Sequence, residues 1–254
     1  IPNIIAMHRI GELPTFAIWY GEAEIFSDYF RRIADVVDRL VIDSERFRRP
    51  LAALRDYASF LNSEGIQCIG SDIAWSRILT WRELIAQSFD VPAVASLAPY
   101  INRIEIAFDP GAEASAILLS SWLLARLDHH PTSVETRIGT TYGTAQGPPG
   151  SPPIQLSLDQ SHSVGFGVRS ARIQAHSGTG AARVTIQRRK SDRTMVRLEA
   201  TGMPRQERIV HHEDSSLDEL IGAELMHFRR DAIYLATLDN AAEYARLALE
   251  GGGR

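Results

Sequence analysis

Leu40-Val41-Ile42 reads as a strand that ends at Asp43-Ser44, and Pro50-Leu51-Ala52-Ala53-Leu54-Arg55-Asp56-Tyr57-Ala58-Ser59-Phe60-Leu61 reads as the helix that follows it. Proline suits the first turn of a helix, where its missing N–H costs nothing. Leu51, Leu54, Ala58 and Leu61 form the apolar stripe, and Gly65 marks the stop. The same order stands upstream. Phe16-Ala17-Ile18-Trp19-Tyr20 is a short buried strand. Phe26, Tyr29, Phe30, Ile33 and Val37 then recur at helical spacing, with Arg31, Arg32 and Asp35 on the other side. This βαβα order predicts a parallel sheet with helices packed on it.

Downstream the pattern changes. Residues 72–89 read as helical, with a break near Thr80, and Pro92 marks a joint. A strand at 104–108, a deeply packed helix at 114–127 and a strand at 134–138 follow. Residues 143–153, GTAQGPPGSPP, read as a linker or a long hairpin loop. Beyond it come strands at 154–158, 170–175, 183–187 and 195–200, with a hairpin tip at Lys190-Ser191-Asp192-Arg193. Ser216 and Glu219 form a capping box for a helix with the stripe Leu217, Leu220, Ile221, Leu225 and Phe228. A strand at 232–235 and a last helix capped by Asn240 with Glu243 complete the reading. The expected class is α/β: a parallel half-sheet with flanking helices, then an antiparallel-rich α+β unit. The preferred division is a Rossmann-like α/β domain at 1–92 and an α+β domain at 93–254, with the Pro/Gly loop at 143–153 internal to the second. A boundary at that loop is the other option. The chain opens on Ile1 rather than methionine, which leaves room for missing upstream elements.

Composition narrows the function. The chain has 254 residues, 44% hydrophobic and 23% charged, which excludes a disordered, collagenous or coiled-coil protein. A net charge of −4 argues against a nucleic-acid partner reached through a global positive field. Cys68 is the single cysteine, so no internal disulfide and no cysteine zinc site can form; it reads as an inert buried residue and fits a cytoplasmic location. The longest apolar stretch, 114–127, holds Arg126 and is too short to span a bilayer, so no membrane partner is expected. With Lys190 as the only lysine, no phosphate loop of nucleoside triphosphatases exists, and no HExxH, EF-hand or GxSxG occurs. Gly165-Phe166-Gly167 and Gly178-Thr179-Gly180 read as turns between strands. His129-His130 and His211-His212 read as solvated pairs at element ends. No catalytic residue, metal ligand or cofactor is assigned.

Three places remain for function. Asp43-Ser44 lies beyond the carboxyl end of a parallel strand, where open α/β sheets bind ligands; the alternative is that either residue caps the next element. Arg183, Arg188, Arg189, Lys190, Arg193 and Arg197 surround the hairpin tip as a local positive patch on an acidic chain. It suits an acidic partner surface, or else a solvated turn that protects a sheet edge. The third is Asp72-Ile73-Ala74-Trp75-Ser76-Arg77-Ile78-Leu79-Thr80-Trp81-Arg82-Glu83-Leu84. Its Trp and Arg are the types enriched in binding hot spots. The competing reading is a buried connector whose arginines pair with internal carboxylates such as Asp72.

Residues 72–87, DIAWSRILTWRELIAQ, also resemble the signature of the glucose-6-phosphate dehydrogenase assembly proteins, the OpcA family. Leu13-Pro14 leading to Ile18-Trp19-Tyr20, the stretch 38–44, the helix with Leu118-Leu119 and Trp122-Leu123, and Asp231-Ala232-Ile233-Tyr234 are similar to further family segments in the same order. The usual proline before the second tryptophan is Thr80 here. The resemblance implies a non-catalytic allosteric effector that binds glucose-6-phosphate dehydrogenase and favours its active oligomeric form, in the oxidative pentose phosphate pathway. With the hot-spot chemistry of the block, it leads to the expectation that Asp72, Trp75, Arg77, Trp81 and Arg82 lie in or directly support the partner-binding surface, with the basic residues Arg188, Arg189, Lys190 and Arg193 as a second patch. The competing reading makes the block the core joint and puts binding on the C-terminal sheet and its basic tip. The competing function is a sugar-phosphate- or nucleotide-binding protein or enzyme that uses the Asp43-Ser44 strand end.

Overall fold

The structure is a computed structural model and describes the chain except residues 1, 9, 11, 12, 20–26, 138, 162–164, 166, 212, 228 and 252–254. Tyr20, Phe26, Ile138, Phe166, His212 and Phe228 of the sequence reading lie outside the described residues. After helix α1 (Pro2–His8), strands β1 (Phe16–Trp19), β2 (Arg39–Ile42) and β3 (Ile69–Asp72) form a three-stranded sheet in the order β1-β2-β3, parallel throughout. The crossovers are α2 (Asp28–Ala34) and α3 (Pro50–Leu61). Ser27 caps α2, its hydroxyl accepting from the Phe30 N–H at 3.2 Å, and Pro50 opens α3 as expected.

β3 was not foreseen. Ile69-Gly70-Ser71-Asp72 has neither alternation nor an apolar run; its pairing with β2 defines it, and α3 lies directly on it. A Cβ at Gly70 would come within 2.4 Å of a Leu61 methyl and 2.8 Å of the Tyr57 hydroxyl. Tyr57 is fully buried and its hydroxyl donates to the carbonyls of Leu40 and Ser71 at 2.9 and 3.3 Å, tying β2 and β3 from beneath.

Helices α4 (Ile73–Arg77) and α5 (Leu79–Ser88) follow, then a short α6 (Pro92–Ala95). The break falls at Ile78 (φ −88°, ψ 7°), two residues before the expected Thr80. The second sheet has eight strands: β4 (Ile101–Phe108), β5 (His130–Arg137), β6 (Thr140–Gln146), β7 (Ile154–Gln160), β8 (Val168–His176), β9 (Ala181–Lys190), β10 (Arg193–Ala200) and β11 (Met203–His211). Their order is β11-β10-β9-β8-β4-β7-β6-β5, antiparallel except for the β4–β7 pair. The fold class is thus as expected, a parallel half-sheet followed by a mostly antiparallel one. Two strands of it were missed. Residues 143–146 belong to β6, paired on both sides, so the loop is 147–153. β11 is an exposed edge strand with no alternating pattern, and only its pairing with β10 defines it.

One face of the large sheet carries Ile104, Ile106, Leu156, Leu158, Ile173, Val184, Ile186 and Leu198, all buried. Helix α7 (Glu113–Arg126) packs there with every residue from Ala114 to Leu124 buried, as a helix apolar on all sides must be. After β11 the chain returns to the small sheet. In α8 (Leu217–Leu225), Leu217, Leu220 and Ile221 pack on Val41 and Ile73. The Glu219 carboxylate accepts from the Ser216 N–H at 2.8 Å, as the sequence predicted. The expected strand at 232–235 is instead the first turn of α9 (Ala232–Gly251). Asp231 makes it so: its carboxylate accepts from the N–H groups of Ile233 and Tyr234 at 2.9 and 3.0 Å, an N-cap. Asn240 is therefore no cap but lies buried in mid-helix. α9 packs against α3, α7 and β5, so it touches both sheets' layers.

Candidate functional site

The carboxyl ends of β2 and β3 open onto a cleft of about 930 Å³, walled by α4, α5 and α8 on one side and by Gly167 with Val168 and Arg188 of the large sheet on the other. The Trp/Arg block of the sequence reading forms its floor.

Trp75 and Trp81 are 4% and 3% exposed, so each indole offers little surface to a partner. Trp75 Nε1 donates to Asp231 Oδ2 at 3.0 Å, and the ring lies 5.6 Å from the Tyr234 ring. The Arg82 guanidinium stacks 3.5 Å from the Trp75 ring centre, a cation–π contact. Burial pushes the Arg82 guanidinium down to about 10, although Asp231 and Glu83 oppose this. α4, α5 and the cap of α9 are thus clamped on one indole.

Arg77 does not pair with Asp72. It forks onto Asp43 (Nη1–Oδ1 2.6 Å, Nη2–Oδ2 2.7 Å) and also reaches Glu45 Oε2 at 2.9 Å. Burial raises the Glu45 carboxyl against the pull of Arg77 and of the Ser115 hydroxyl that donates to it. Asp43 therefore neither caps the next element nor faces the cleft as a free carboxylate; its side chain holds α4 to the end of β2. The capping falls to Asp72, whose Oδ1 accepts from the N–H groups of Ser44 (3.0 Å) and Ala74 (2.9 Å).

Asp72 is fully buried and its Oδ2 has no hydrogen-bond partner. Burial pushes its carboxyl up to about 7, against the bonds from Ser44 and Ala74. The folded state then holds the proton more tightly than the unfolded chain does. The stabilisation is full below about pH 4, declines as pH rises toward 7, and is lost above it. Asp72→Asn keeps the Oδ1 acceptor and removes the titration. We expect its stability relative to wild type to rise by up to about 4 kcal/mol between pH 4 and pH 8, read from urea midpoints across that range.

Sequence reasoning missed the groups that complete the site. Arg39, at the start of β2, is 5% exposed. Its Nη2 meets Glu224 Oε2 at 2.6 Å, Nη1 donates to the His227 carbonyl at 2.7 Å and Nε donates to Ser71 Oγ at 3.2 Å. The other Glu224 oxygen accepts from Ser76. α8 is thereby bolted to the small sheet and to α4. Arg39 lies 185 residues from Glu224, so no local pattern relates them; only the Asp231 cap ahead of Tyr234, Leu238 and Ala241 was readable.

The basic tip is largely neutralised within the fold. Arg188 forks onto Asp214, Arg197 meets Glu207 at 2.9 Å, Arg183 meets Glu199 at 3.7 Å, and Arg193 lies 3.5 Å from Asp192. Arg189 donates to Met195 Sδ at 3.4 Å, and Lys190 is exposed. Cys68 is buried as expected, and burial pushes its thiol up to about 11. His129, read as solvated, is 4% exposed and held by two carbonyls. Among the described residues no group of His, Cys, Asp and Glu could hold a metal ion, and no helix is long and apolar enough to cross a membrane.

By fold, the chain resembles the transcriptional regulator Gal80p from Kluyveromyces lactis (TM-score 0.55, 10% identity, 93% of this chain and 72% of that one). It also resembles an oxidoreductase domain protein from Kribbella flavida (TM-score 0.54, 6% identity, 99% and 80%). Such identities speak for the fold alone. By sequence it is 27% identical over 250 residues to a protein provisionally named OxPP cycle protein OpcA from Synechocystis sp., covering 92% of this chain and 50% of that one. The protein of the same name from Nostoc punctiforme is 29% identical over 139 residues, 55% of this chain and 29% of that one. The chain thus spans half or less of the length of these relatives. The glucose-6-phosphate dehydrogenase subunit N-terminal domain family matches residues 1–59, and the C-terminal domain family of the same subunit matches 69–238. On a match of that extent the chain belongs to the OpcA family of glucose-6-phosphate dehydrogenase subunits.

Proposed function

We propose that the chain is a non-catalytic effector that binds glucose-6-phosphate dehydrogenase and favours its active oligomeric state. The observation that carries this is the family match over 69–238, which includes the whole Trp/Arg block. The mechanism is linkage. A protein that binds the active state more tightly shifts the equilibrium by that difference in affinity and by no more. A preference of about 3 kcal/mol gives on the order of a hundredfold shift. Asp72, Trp75, Arg77, Trp81 and Arg82 serve in this reading by holding the cleft's floor and rim in one shape. The exposed face of α5 and the tip at Arg189, Lys190 and Arg193 provide surface for contact.

The position of the cleft at the carboxyl ends of β2 and β3 favours a second reading, a small sugar-phosphate or nucleotide ligand. The occupation of Asp43 by Arg77 weighs against it. One experiment separates the two. The activity of the cognate dehydrogenase is measured with and without this protein at several substrate concentrations. We expect a lower KM or a higher rate that saturates at a fixed molar ratio. An unchanged rate and no co-elution on a sizing column would refute the effector reading. A melting-temperature shift with glucose 6-phosphate or a nicotinamide nucleotide would then support the ligand reading.

A further inference from the structure

His129 stands between the end of α7 and the start of β5, with its ring against the 147–153 loop. Nδ1 lies 2.7 Å from the Leu127 carbonyl oxygen and Nε2 lies 3.0 Å from the Pro152 carbonyl oxygen. Carbonyl oxygens only accept. A neutral imidazole carries one N–H, so it can serve one of them and must turn a lone pair toward the other. Only the doubly protonated ring donates to both. We propose that His129 is a pH-sensitive staple: as imidazolium it pins the 147–153 loop to the end of α7, and loss of one proton releases the loop.

The surroundings fit this role. A Cβ at Gly147 would lie 2.4–2.6 Å from Cε1, Nδ1 and Nε2, so the ring rests directly on the glycine backbone and needs that residue to be glycine. The carbonyl end of α7 is the negative end of its dipole and favours a cation. The charged and titratable neighbours of His129 along the chain are Arg126 at the end of α7, Asp128 just past it and His130 on β5, all exposed. From α9, Asn240 contributes a neutral amide, which donates to the His129 carbonyl at 2.9 Å and lies 2.9 Å from His130 Nδ1. Residues 147–153 carry no titratable side chain. Among the described residues no carboxylate pairs with the His129 ring, so the two carbonyls are what the second proton serves. The loop is also a wall: Pro152 and Pro153 border a cavity of about 1000 Å³ on the polar face of the large sheet, with Arg103, Gln155, Arg183 and Glu199. Release of the loop reshapes that cavity, and this holds whichever partner the protein has.

The test is a pH titration of the full ¹⁵N-labelled chain by NMR, from about pH 5 to about pH 8.5, the range in which histidine changes charge. At the acid end we expect both His129 ring nitrogens to carry protons. As the second proton leaves, the amide signals of Gly147, Gly150 and Ser151 should move with the same midpoint. His129→Gln should abolish that movement and leave the signals of α5 unchanged; should the variant fail to fold, the wild-type titration decides alone. A neutral tautomer throughout, or loop amides that ignore the titration of the ring, would overturn the proposal.

Discussion

Trp75→Ala should lower the melting temperature by roughly 10 °C, corresponding to about 3–5 kcal/mol. The size follows from what the indole holds. Its removal leaves a cavity beneath α4, takes the platform from the Arg82 guanidinium and leaves Asp231 without the indole N–H at the start of α9. Arg82 is then a half-buried cation with a single weak hydrogen bond, to the Trp75 carbonyl at 3.4 Å. Trp75→Phe refills most of the volume and keeps an aromatic face, so it should cost less than half as much. Chemical denaturation of both variants measures this. A Trp75→Ala protein with an unchanged melting curve would show that the block is not the joint described above. If that protein had also lost its effect on the dehydrogenase, the indole would have to be a direct contact.

Arg39→Ala should cost about 3–5 kcal/mol, because it strands Glu224 as a buried carboxylate with only Ser76 to serve it. Removal of both charges should cost much less than the sum. In Arg39→Met/Glu224→Gln no buried ion remains, and the methionine fills part of the guanidinium's space. A double-mutant cycle on unfolding free energies reads the coupling. Additive losses would mean that the ion pair contributes nothing beyond its two separate side chains.

Local pattern carried the first sheet and the long helices. Pro50, the Leu51–Leu61 stripe and the Ser216–Glu219 box act through neighbours in sequence, so a single window contains their cause. β3, β6 and β11 were invisible for three different reasons. β3 is defined by its parallel pairing with β2, beneath the close approach of Tyr57 and Leu61 to Gly70, and neither is local. The second half of β6 carries loop-like residues but pairs on both sides. β11 is a wet edge strand whose two faces do not differ. Asp231 and Tyr234 were read as the start of a strand, because the apolar run at 232–235 is too short to tell strand from helix, and the cap that decides it was overlooked. The Trp/Arg block stood out by composition, but its partners did not. Arg39 comes from the start of β2, Asp43 and Glu45 from just beyond its end, and Glu224 and Asp231 from about 150–190 residues further along the chain. That convergence is set by topology and not by spacing.

The place of α9 has a consequence for how the protein is made. A ribosome delivers the small sheet first and the large sheet next, yet α3, α7 and β5 all wait for the same late helix to cover them. Until it emerges, the faces of α3 and α7 that it covers stay wet, and the Trp75 indole lacks Asp231 and Tyr234. Contacts of such sequence separation close slowly. Between the emergence of β5 and that of α9 these layers therefore lack their common cover, and exposed apolar surface of that kind favours aggregation. Truncation before Ala232 removes the helix that covers α3, α7 and β5 together, so it should yield insoluble protein rather than a trimmed domain.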